Sequence, residues 1–167
     1  SCHGTTSTCD WVDITNRDPT IESRLNAPRW SPDGTKIAYI HGGSETGGAD
    51  VIEITNSSGS VMNSPFQYKL TPVDQQIALN VGIDDNHTLD WSPDGESIVF
   101  VTNNRLYKTS STEFNPIDLV DWRRAAQIPK WHPSGNVIFF INNNLDSNNP
   151  TPGIFKISAN GTMALTS

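Results

Sequence analysis

Two short polar segments hold the residue types of this sequence that are best suited to binding. The segment Asp84-Asp85-Asn86-His87 groups oxygen ligands for divalent cations, but it lacks the spacing and the glycine of an EF-hand loop. The same acidic segment could instead contact a protein partner or form a solvated loop. The segment Trp122-Arg123-Arg124 joins an aromatic ring to two guanidinium groups, types enriched at interface hot spots, although a Trp packed between sheets with exposed arginines is an equal alternative. From these segments we predict six partner-binding residues: Asp84, Asp85, His87, Trp122, Arg123 and Arg124.

Sequence signatures of catalysis and of cofactor binding are missing. The chain has no Gly-x-Ser-x-Gly elbow, and the glycines at 42, 43, 47 and 48 lack the Gly-Lys-Ser/Thr ending of a phosphate-binding loop. The four histidines, at positions 3, 41, 87 and 132, show no metal-ligand spacing. We therefore expect a protein that is not an enzyme, with no catalytic residue, no metal and no cofactor.

The composition favours an all-β chain. Among 167 residues there are 12 Gly and 11 Pro, and only 35% are hydrophobic, a mixture that is rich in turn formers and poor in helix formers. The formal net charge of −7 argues against a nucleic-acid partner, because that affinity rests on clustered Lys and Arg. No apolar run approaches the roughly 20 residues of a membrane helix.

Three segments of the chain, residues 28–40, 89–101 and 129–141, align without gaps. Their Trp residues are separated by 61 and then 40 residues, and 40 residues is the length of a four-stranded propeller blade. In each segment a tight Pro-x-Gly turn precedes an apolar run that does not alternate with polar residues, which indicates a strand covered on both faces. We expect these repeat residues to be structural: Trp30, Pro32, Asp33, Gly34, Trp91, Pro93, Asp94, Gly95, Trp131, Pro133 and Gly135. The three Trp side chains are expected in the core.

Fainter repeats follow each of these segments and predict two more strands per unit. With the strands of a unit named A to D, the C strands are residues 51–56, 106–110 and 154–158, and the D strands are residues 68–71, 117–120 and 163–166. Residues 11–16 and 21–26 match the C and D patterns as well. The sequence thus predicts three and a half four-stranded units, the half unit coming first.

The sequence Trp-Ser-Pro-Asp-Gly at 30–34 and 91–95, followed by an apolar strand, resembles the WD-like repeat of TolB-type β-propellers. Similar repeats form the propeller domains of tricorn-type and prolyl-oligopeptidase-type peptidases. The third copy, at 131–135, departs from the pattern because it lacks the turn Asp. The resemblance implies a bacterial, periplasmic or otherwise exported scaffold that binds protein partners without catalysis. The alternatives are the propeller domain of a peptidase and a propeller that binds a sugar or small ligand in its channel.

The resemblance also sets the expected domain organisation. We assign residues 1–10 to a tail, 11–27 to a half blade, 28–72 to blade 1, 73–121 to blade 2 and 122–167 to blade 3. A closed ring needs four to eight blades, so this partial propeller is expected to be an open arc that a missing segment or homo-oligomerisation completes. In the tail, Cys2 and Cys9 are candidates for a disulfide in an exported protein.

Propeller topology places the A–B and C–D turns on one face of the disc and the B–C and D–A connections on the other. The long polar segments 41–48, 72–88, 122–128 and 142–152 all belong to the second face. Long polar loops on a rigid scaffold are common sites of recognition. We therefore predict partner binding on that second face.

Overall fold

The computed structural model describes residues 23–43, 51–56, 66–69, 89–102, 105–113, 115–119, 126–142 and 152–161. These ranges hold only strands, turns and irregular segments, so the predicted all-β class is confirmed for them. None of their elements is a helix of the length and apolarity that crossing a bilayer requires. The strands are β1 (Ser23–Trp30), β2 (Lys36–Gly43), β3 (Val51–Asn56), β4 (Phe66–Lys69), β5 (Leu89–Trp91), β6 (Ser97–Thr102), β7 (Arg105–Ser110), β8 (Ile117–Asp118), β9 (Ala126–Trp131), β10 (Val137–Asn142) and β11 (Gly153–Ser158).

The strands form three antiparallel sheets in which consecutive strands are neighbours. Sheet 1 has the order β1-β2-β3-β4, sheet 2 has the order β5-β6-β7-β8, and sheet 3 has the order β9-β10-β11. In each sheet a tight turn joins the first strand to the second. Residues 163–166, predicted as a further strand of sheet 3, lie outside the described ranges. The sheets have the hairpin-linked topology that the repeats predicted, with three strands described in the last one.

The boundary between the predicted half blade and blade 1 is wrong at residues 23–26. These residues do not start a separate unit but pair with β2, from Ser23 opposite Gly43 to Asn26 opposite Ile40. Pro28 has no N–H for the ladder, and the strand bulges there, with Ala27 at a φ of 53°, before pairing resumes at Arg29. Residues 11–22 lie outside the described part of the chain, so the half blade stays a prediction.

The same bulge recurs in sheet 3. Ile128, just before Pro129, has a φ of 48°, and the register of β9 against β10 shifts at this point. In both sheets the X-Pro pair interrupts the first strand. Each of these strands begins before the aligned repeat segment, which starts at the Pro.

The apolar core lies between the sheets. The side chains of β6 alternate in direction: Ile98 and Phe100 join a cluster with sheet 1, whereas Val99 and Val101 join a second cluster with sheet 3. All four are at most 9% exposed. The prediction that this apolar run is covered on both faces is therefore confirmed for β6, and sheet 2 is the middle layer of a stack of three.

The three repeat Trp residues are not equally buried. Trp91 is 5% exposed and packs in the core between sheets 1 and 2, and Trp131 is partly buried against the cluster between sheets 2 and 3. Trp30 is 61% exposed, so the expectation of a core residue is wrong at this position. The reason is its place in the stack: among the described sheets, none precedes sheet 1 to cover its ring.

Candidate functional site

The turn between β1 and β2 is held by backbone bonds and by one carboxylate. The N–H of Gly34 donates to Ser31 O at 2.9 Å, and the N–H of Ser31 donates to Lys36 O at 2.9 Å. Gly34 has a φ of 69°, a conformation that glycine adopts without a steric penalty. Any residue other than glycine at position 34 would therefore strain the backbone of this turn.

Asp33 uses both carboxylate oxygens inside this turn. Its Oδ1 accepts from Ser31 Oγ at 2.5 Å and from the Thr35 N–H at 3.0 Å, and its Oδ2 accepts from Thr35 Oγ1 at 2.8 Å. Bonds of this kind favour the charged form. They lower the pKa of Asp33 from 3.8 to about 2, with the bond from the Ser31 hydroxyl as the largest cause. Asp33 is thus a fixed negative charge rather than a group poised to exchange protons.

The turn between β5 and β6 repeats this arrangement. Asp94 Oδ1 accepts from Ser92 Oγ at 2.5 Å and from the Glu96 N–H at 3.0 Å. The Ser92 hydroxyl, followed by that N–H, holds the pKa of Asp94 below its ordinary value of 3.8. Ser92 Oγ also accepts from the Ser97 N–H at 2.9 Å. The Ser-Pro-Asp-Gly sequence thus specifies one hydrogen-bonded turn twice.

The third turn reaches the same shape with different side chains. His132 Nδ1 lies 2.9 Å from Ser134 Oγ and accepts from the Ser134 N–H at 3.1 Å. The backbone bonds are kept, since the N–H of Gly135 donates to His132 O and that of His132 to Val137 O. His132 therefore has a structural place in the turn.

A polar groove lies where the first two turns meet. Its volume is about 560 Å³, and its lining includes Asp33, Lys36, Asp94, Glu96, Ser111 and Thr112. Three carboxylates and one ammonium group thus face one space. A β-carbon placed on Gly95 would lie 3.7 Å from Cδ of Pro32, which shows how closely the two turns approach.

The turn after β7 forms one wall of this groove and is hydrogen-bonded to the turn between β5 and β6. The Ser111 N–H donates to Glu96 O at 2.9 Å, and Ser111 Oγ donates to Gly95 O at 2.9 Å. Ser111 is 6% exposed, so these bonds are protected from water. The groove is a rigid surface built by three turns of two sheets.

Polar contacts also fix the sheets to one another. Trp91 Nε1 donates to Arg29 O at 3.0 Å, joining sheet 2 to sheet 1. Asp90 accepts from the Trp131 N–H at 2.8 Å and from Lys130 Nζ at 3.0 Å, joining sheet 2 to sheet 3. Lys108 Nζ donates to the carbonyl after β11, Ala159 O, at 2.7 Å. These bonds hold the turns of different sheets in fixed positions.

The described residues that line this groove are not among those that the sequence analysis assigned to partner binding. Asp84, Asp85, His87, Trp122, Arg123 and Arg124 lie outside the described residues, as do Cys2 and Cys9. Within the described ranges, no three His, Cys, Asp or Glu side chains are grouped so as to hold a metal ion. The groove lies on the face of the A–B and C–D turns, which the sequence analysis did not select. The sequence signal for it was a charged residue close behind each Asp-Gly pair, Lys36 two positions after Gly34 and Glu96 directly after Gly95.

Comparison with known proteins places this arrangement among solved structures. No protein-family model matches the chain, and no curated protein matches it. The chain superposes with a TM-score of 0.56 and 19% identity on an Agrobacterium tumefaciens protein provisionally assigned as TolB, covering 86% of this chain and 48% of that one. For TolB of Acinetobacter baumannii the TM-score is 0.53 and the identity 22%, covering 84% and 31% of the two chains. The fold is that of a TolB-like propeller.

The tricorn protease also shares this fold. Its TM-score is 0.58 at 15% identity, over 83% of this chain and 12% of the protease. The chain spans less than half the length of each of these three proteins. At such identities the likeness concerns the TolB-like propeller fold alone, which unrelated functions share.

Proposed function

We propose that the chain is a non-catalytic propeller scaffold that binds a protein partner. The observation that carries the proposal is the groove between the first two turns, in which hydrogen bonds from Ser31 and Ser92 hold the carboxylates of Asp33 and Asp94 in place. A preorganised polar surface of this kind loses little conformational entropy when a partner binds. It is therefore suited to recognition.

The lowered pKa values of two carboxylates in the groove support binding rather than catalysis. General acid–base catalysis works best with a group whose pKa is near the working pH. The pKa of Asp33 is about 2, and that of Asp94 is also lowered, because both carboxylates accept several hydrogen bonds. Such groups present constant charge and do not exchange protons near neutral pH.

The pattern of charge suggests the chemistry of the partner segment. Asp33, Asp94 and Glu96 outnumber Lys36 in the groove lining, and the whole chain has a net charge of −7. A partner segment with Lys or Arg facing the carboxylates complements this surface, and rim charges of this kind act mainly on the association rate. Binding is then expected to weaken as the salt concentration rises.

Two finer features of the proposal come from the sequence. The loop residues Asp84, Asp85, His87, Trp122, Arg123 and Arg124 form a second candidate surface on the opposite face of the disc. The resemblance to TolB-type proteins supports an exported, periplasmic location in a bacterium. A partner from the cell envelope fits both features.

The test is affinity capture from a bacterial envelope extract, quantified by mass spectrometry. The bait proteins are the wild type, a double variant Lys36→Gln and Glu96→Gln, and the control Glu113→Gln, which removes an exposed carboxylate outside the groove lining. We expect the double variant to lose at least one protein that both the wild type and the control retain. A sixfold loop variant, with each predicted loop residue changed to Ala, tests the second face. If neither variant changes the captured set, the proposal fails.

A second candidate is the propeller domain of a peptidase, favoured by the superposition on the tricorn protease. In that case a hydrolase domain belongs to the same protein. Labelling of the natural full-length protein with a serine-directed fluorophosphonate distinguishes the two candidates. Covalent labelling supports the peptidase, and no labelling of a correctly folded protein supports the scaffold.

A further inference from the structure

Three turns in the described part of the chain place an Asp or Asn directly before glycine, at residues 31–34, 92–95 and 158–161. In each turn the glycine N–H donates to the carbonyl oxygen of the serine at the first position, at 2.9, 2.9 and 3.2 Å. The φ angles of the three glycines are 69°, 74° and 76°. The backbones of the three turns are therefore alike, and the side chain before the glycine distinguishes them.

An Asn or Asp side chain in this position can react with its own backbone. The backbone nitrogen of the following residue gives up its proton and attacks the side-chain carbonyl carbon, which closes a succinimide ring. The leaving group is ammonia for Asn and water for Asp. Water then opens the ring at either carbonyl and leaves an aspartyl or an isoaspartyl residue. Glycine favours the attack because it has no β-carbon to shield its nitrogen.

The two Asp side chains are held by their turns. The hydroxyl of Ser31 donates to Asp33 and that of Ser92 to Asp94, each at 2.5 Å, and a backbone N–H donates to each carboxylate at 3.0 Å. These bonds keep the carboxylates ionised, with the pKa of Asp33 at about 2 and that of Asp94 also lowered. An ionised carboxylate cannot release water as a leaving group, so both the bonds and the charge oppose ring closure.

The Asn160 side chain is not held in this way. The hydroxyl of Ser158 accepts from the backbone N–H of Asn160 at 3.3 Å and does not bond its side chain. Within the described part of the chain no hydrogen bond involves the side-chain amide of Asn160, and both Asn160 and Gly161 are exposed. The bond from the Gly161 N–H is the longest of the three equivalent bonds, so the attacking nitrogen is the least restrained.

We propose that Asn160 deamidates spontaneously in the folded chain, whereas Asp33 and Asp94 are protected from the corresponding isomerisation. Asn160-Gly161 is the only Asn-Gly pair in the sequence. The reaction consumes one water and releases one ammonia, and it needs no oxidant, metal or enzyme. It does not depend on the proposed binding function.

The modified turn lies at a contact between two sheets. The carbonyl of Ala159, directly before Asn160, accepts from Lys108 Nζ of sheet 2 at 2.7 Å. A β-carbon on Gly161 would lie 3.6 Å from Cδ2 of Leu119, so the turn also approaches the end of sheet 2 closely. Both products add one negative charge here, and the isoaspartyl product also adds a methylene group to the main chain. The isoaspartyl form is therefore expected to disturb the contact between sheets 2 and 3.

The test is peptide mapping by mass spectrometry of the full chain during incubation in mildly alkaline buffer. Deamidation raises the mass of a peptide by the difference between an amide and an acid, and electron-transfer fragmentation separates aspartyl from isoaspartyl products. The internal control is Asn136, which is also exposed but precedes the β-branched Val137. We expect the deamidated fraction to rise faster at Asn160 than at Asn136. No rise at Asn160, or an equal or faster rise at Asn136, overturns the proposal.

The protection of the two Asp residues is tested by unfolding the chain in guanidinium chloride at the same pH. Isoaspartate is expected to form faster at Asp33 and Asp94 in the unfolded chain, where the turn bonds are lost. Ser92→Ala removes the hydroxyl bond of Asp94 alone, so in this variant, once circular dichroism shows it to be folded, isoaspartate should rise at Asp94 but not at Asp33. Equal rates in the folded and unfolded wild type overturn the protection.

The effect on the sheet contact is measured by thermal unfolding. Asn160→Asp is the matched variant, because it has the charge of the product without the added main-chain atom. The isoaspartyl fraction of an incubated chain, separated by chromatography, is expected to unfold at a lower temperature than this variant. An equal or higher unfolding temperature would show that the turn does not support the contact between sheets 2 and 3.

Discussion

The carboxylate of Asp90 accepts the backbone N–H of Trp131 at 2.8 Å and thereby joins the first strand of sheet 2 to the first strand of sheet 3. β9 is the edge strand of sheet 3, and an edge strand has N–H groups that no neighbouring strand satisfies. Asp90 satisfies one of them from a different sheet. Asp90 directly precedes Trp91, the repeat Trp of sheet 2. Through this one contact it connects sheet 2 to sheet 3, whose repeat Trp lies 40 residues later in the sequence.

Removal of the Asp90 carboxylate is expected to destabilise the stack. Asp90→Ala leaves the Trp131 N–H without this acceptor, and a hydrogen bond to a charged group contributes about 2 kcal/mol. Lys130→Met removes only the ion pair, and because the Lys130 side chain is 48% exposed, it should lower the free energy of unfolding by less than about 1 kcal/mol. Urea unfolding of both variants measures the difference. Equal losses would show that the ion pair, rather than the bond to the backbone, connects the two sheets.

The indole N–H of Trp91 and its buried ring are expected to make separate contributions to the free energy of unfolding. Trp91→Phe keeps most of the buried ring and loses the bond to Arg29 O, so we expect a loss of about 1 kcal/mol. Trp91→Ala also leaves a cavity in the core and should cost about 3–5 kcal/mol. Trp30→Ala is the contrasting variant, because its ring is mostly exposed. Thermal unfolding would contradict this ranking if Trp30→Ala were as damaging as Trp91→Ala.

Gly34 and Gly95 are expected to tolerate alanine equally poorly. Their φ angles are 69° and 74°, a region in which a β-carbon costs about 1 kcal/mol or more. A β-carbon on Gly34 meets no atom within 4 Å, and one on Gly95 makes only an ordinary contact with Pro32. Both substitutions therefore act through backbone strain and not through a clash. Chemical denaturation that found one variant neutral would contradict the equivalence of the two turns.

The ionisation of Asp33 predicts a stability change in acid. A folded-state pKa of about 2 against an ordinary 3.8 means that the charged carboxylate stabilises the fold above pH 3.8. This contribution is lost as the pH falls from 3.8 through about 2. Carboxyl-carbon NMR titration of Asp33 measures the value directly. A titration midpoint near 3.8 would show that the Ser31 and Thr35 bonds do not hold the carboxylate in solution.

Local patterns in the sequence were sufficient for the turns and for the middle strand of the stack. Ser-Pro-Asp-Gly specifies its turn because every bond that closes it comes from within six residues, Ser31 to Lys36 in the first copy. The four apolar residues of β6 indicated burial on both faces because no polar residue interrupts them.

Features that depend on neighbouring sheets could not be predicted in the same way. The burial of a repeat Trp depends on whether a sheet precedes it, so identical motifs gave an exposed Trp30 and a buried Trp91. The groove combines side chains from two sheets, with Asp33 and Asp94 far apart in sequence, and no local pattern reports their proximity. Strands β1 and β9 continue through the bulges at Ala27 and Ile128 and therefore begin before the aligned segments, which start at Pro28 and Pro129.

The stacking of three sheets, with sheet 2 in the middle, underlies the proposed binding function of this chain. Amide hydrogen exchange of the full chain tests it most directly, through a comparison of the β6 amides with the β10 amides. Both strands are central in their sheets, but the described sheets cover β6 on two faces and β10 on one. Exchange of the β6 amides is expected to be the slower of the two, because they open only when the stack opens. Equal or faster exchange in β6 would contradict the stack.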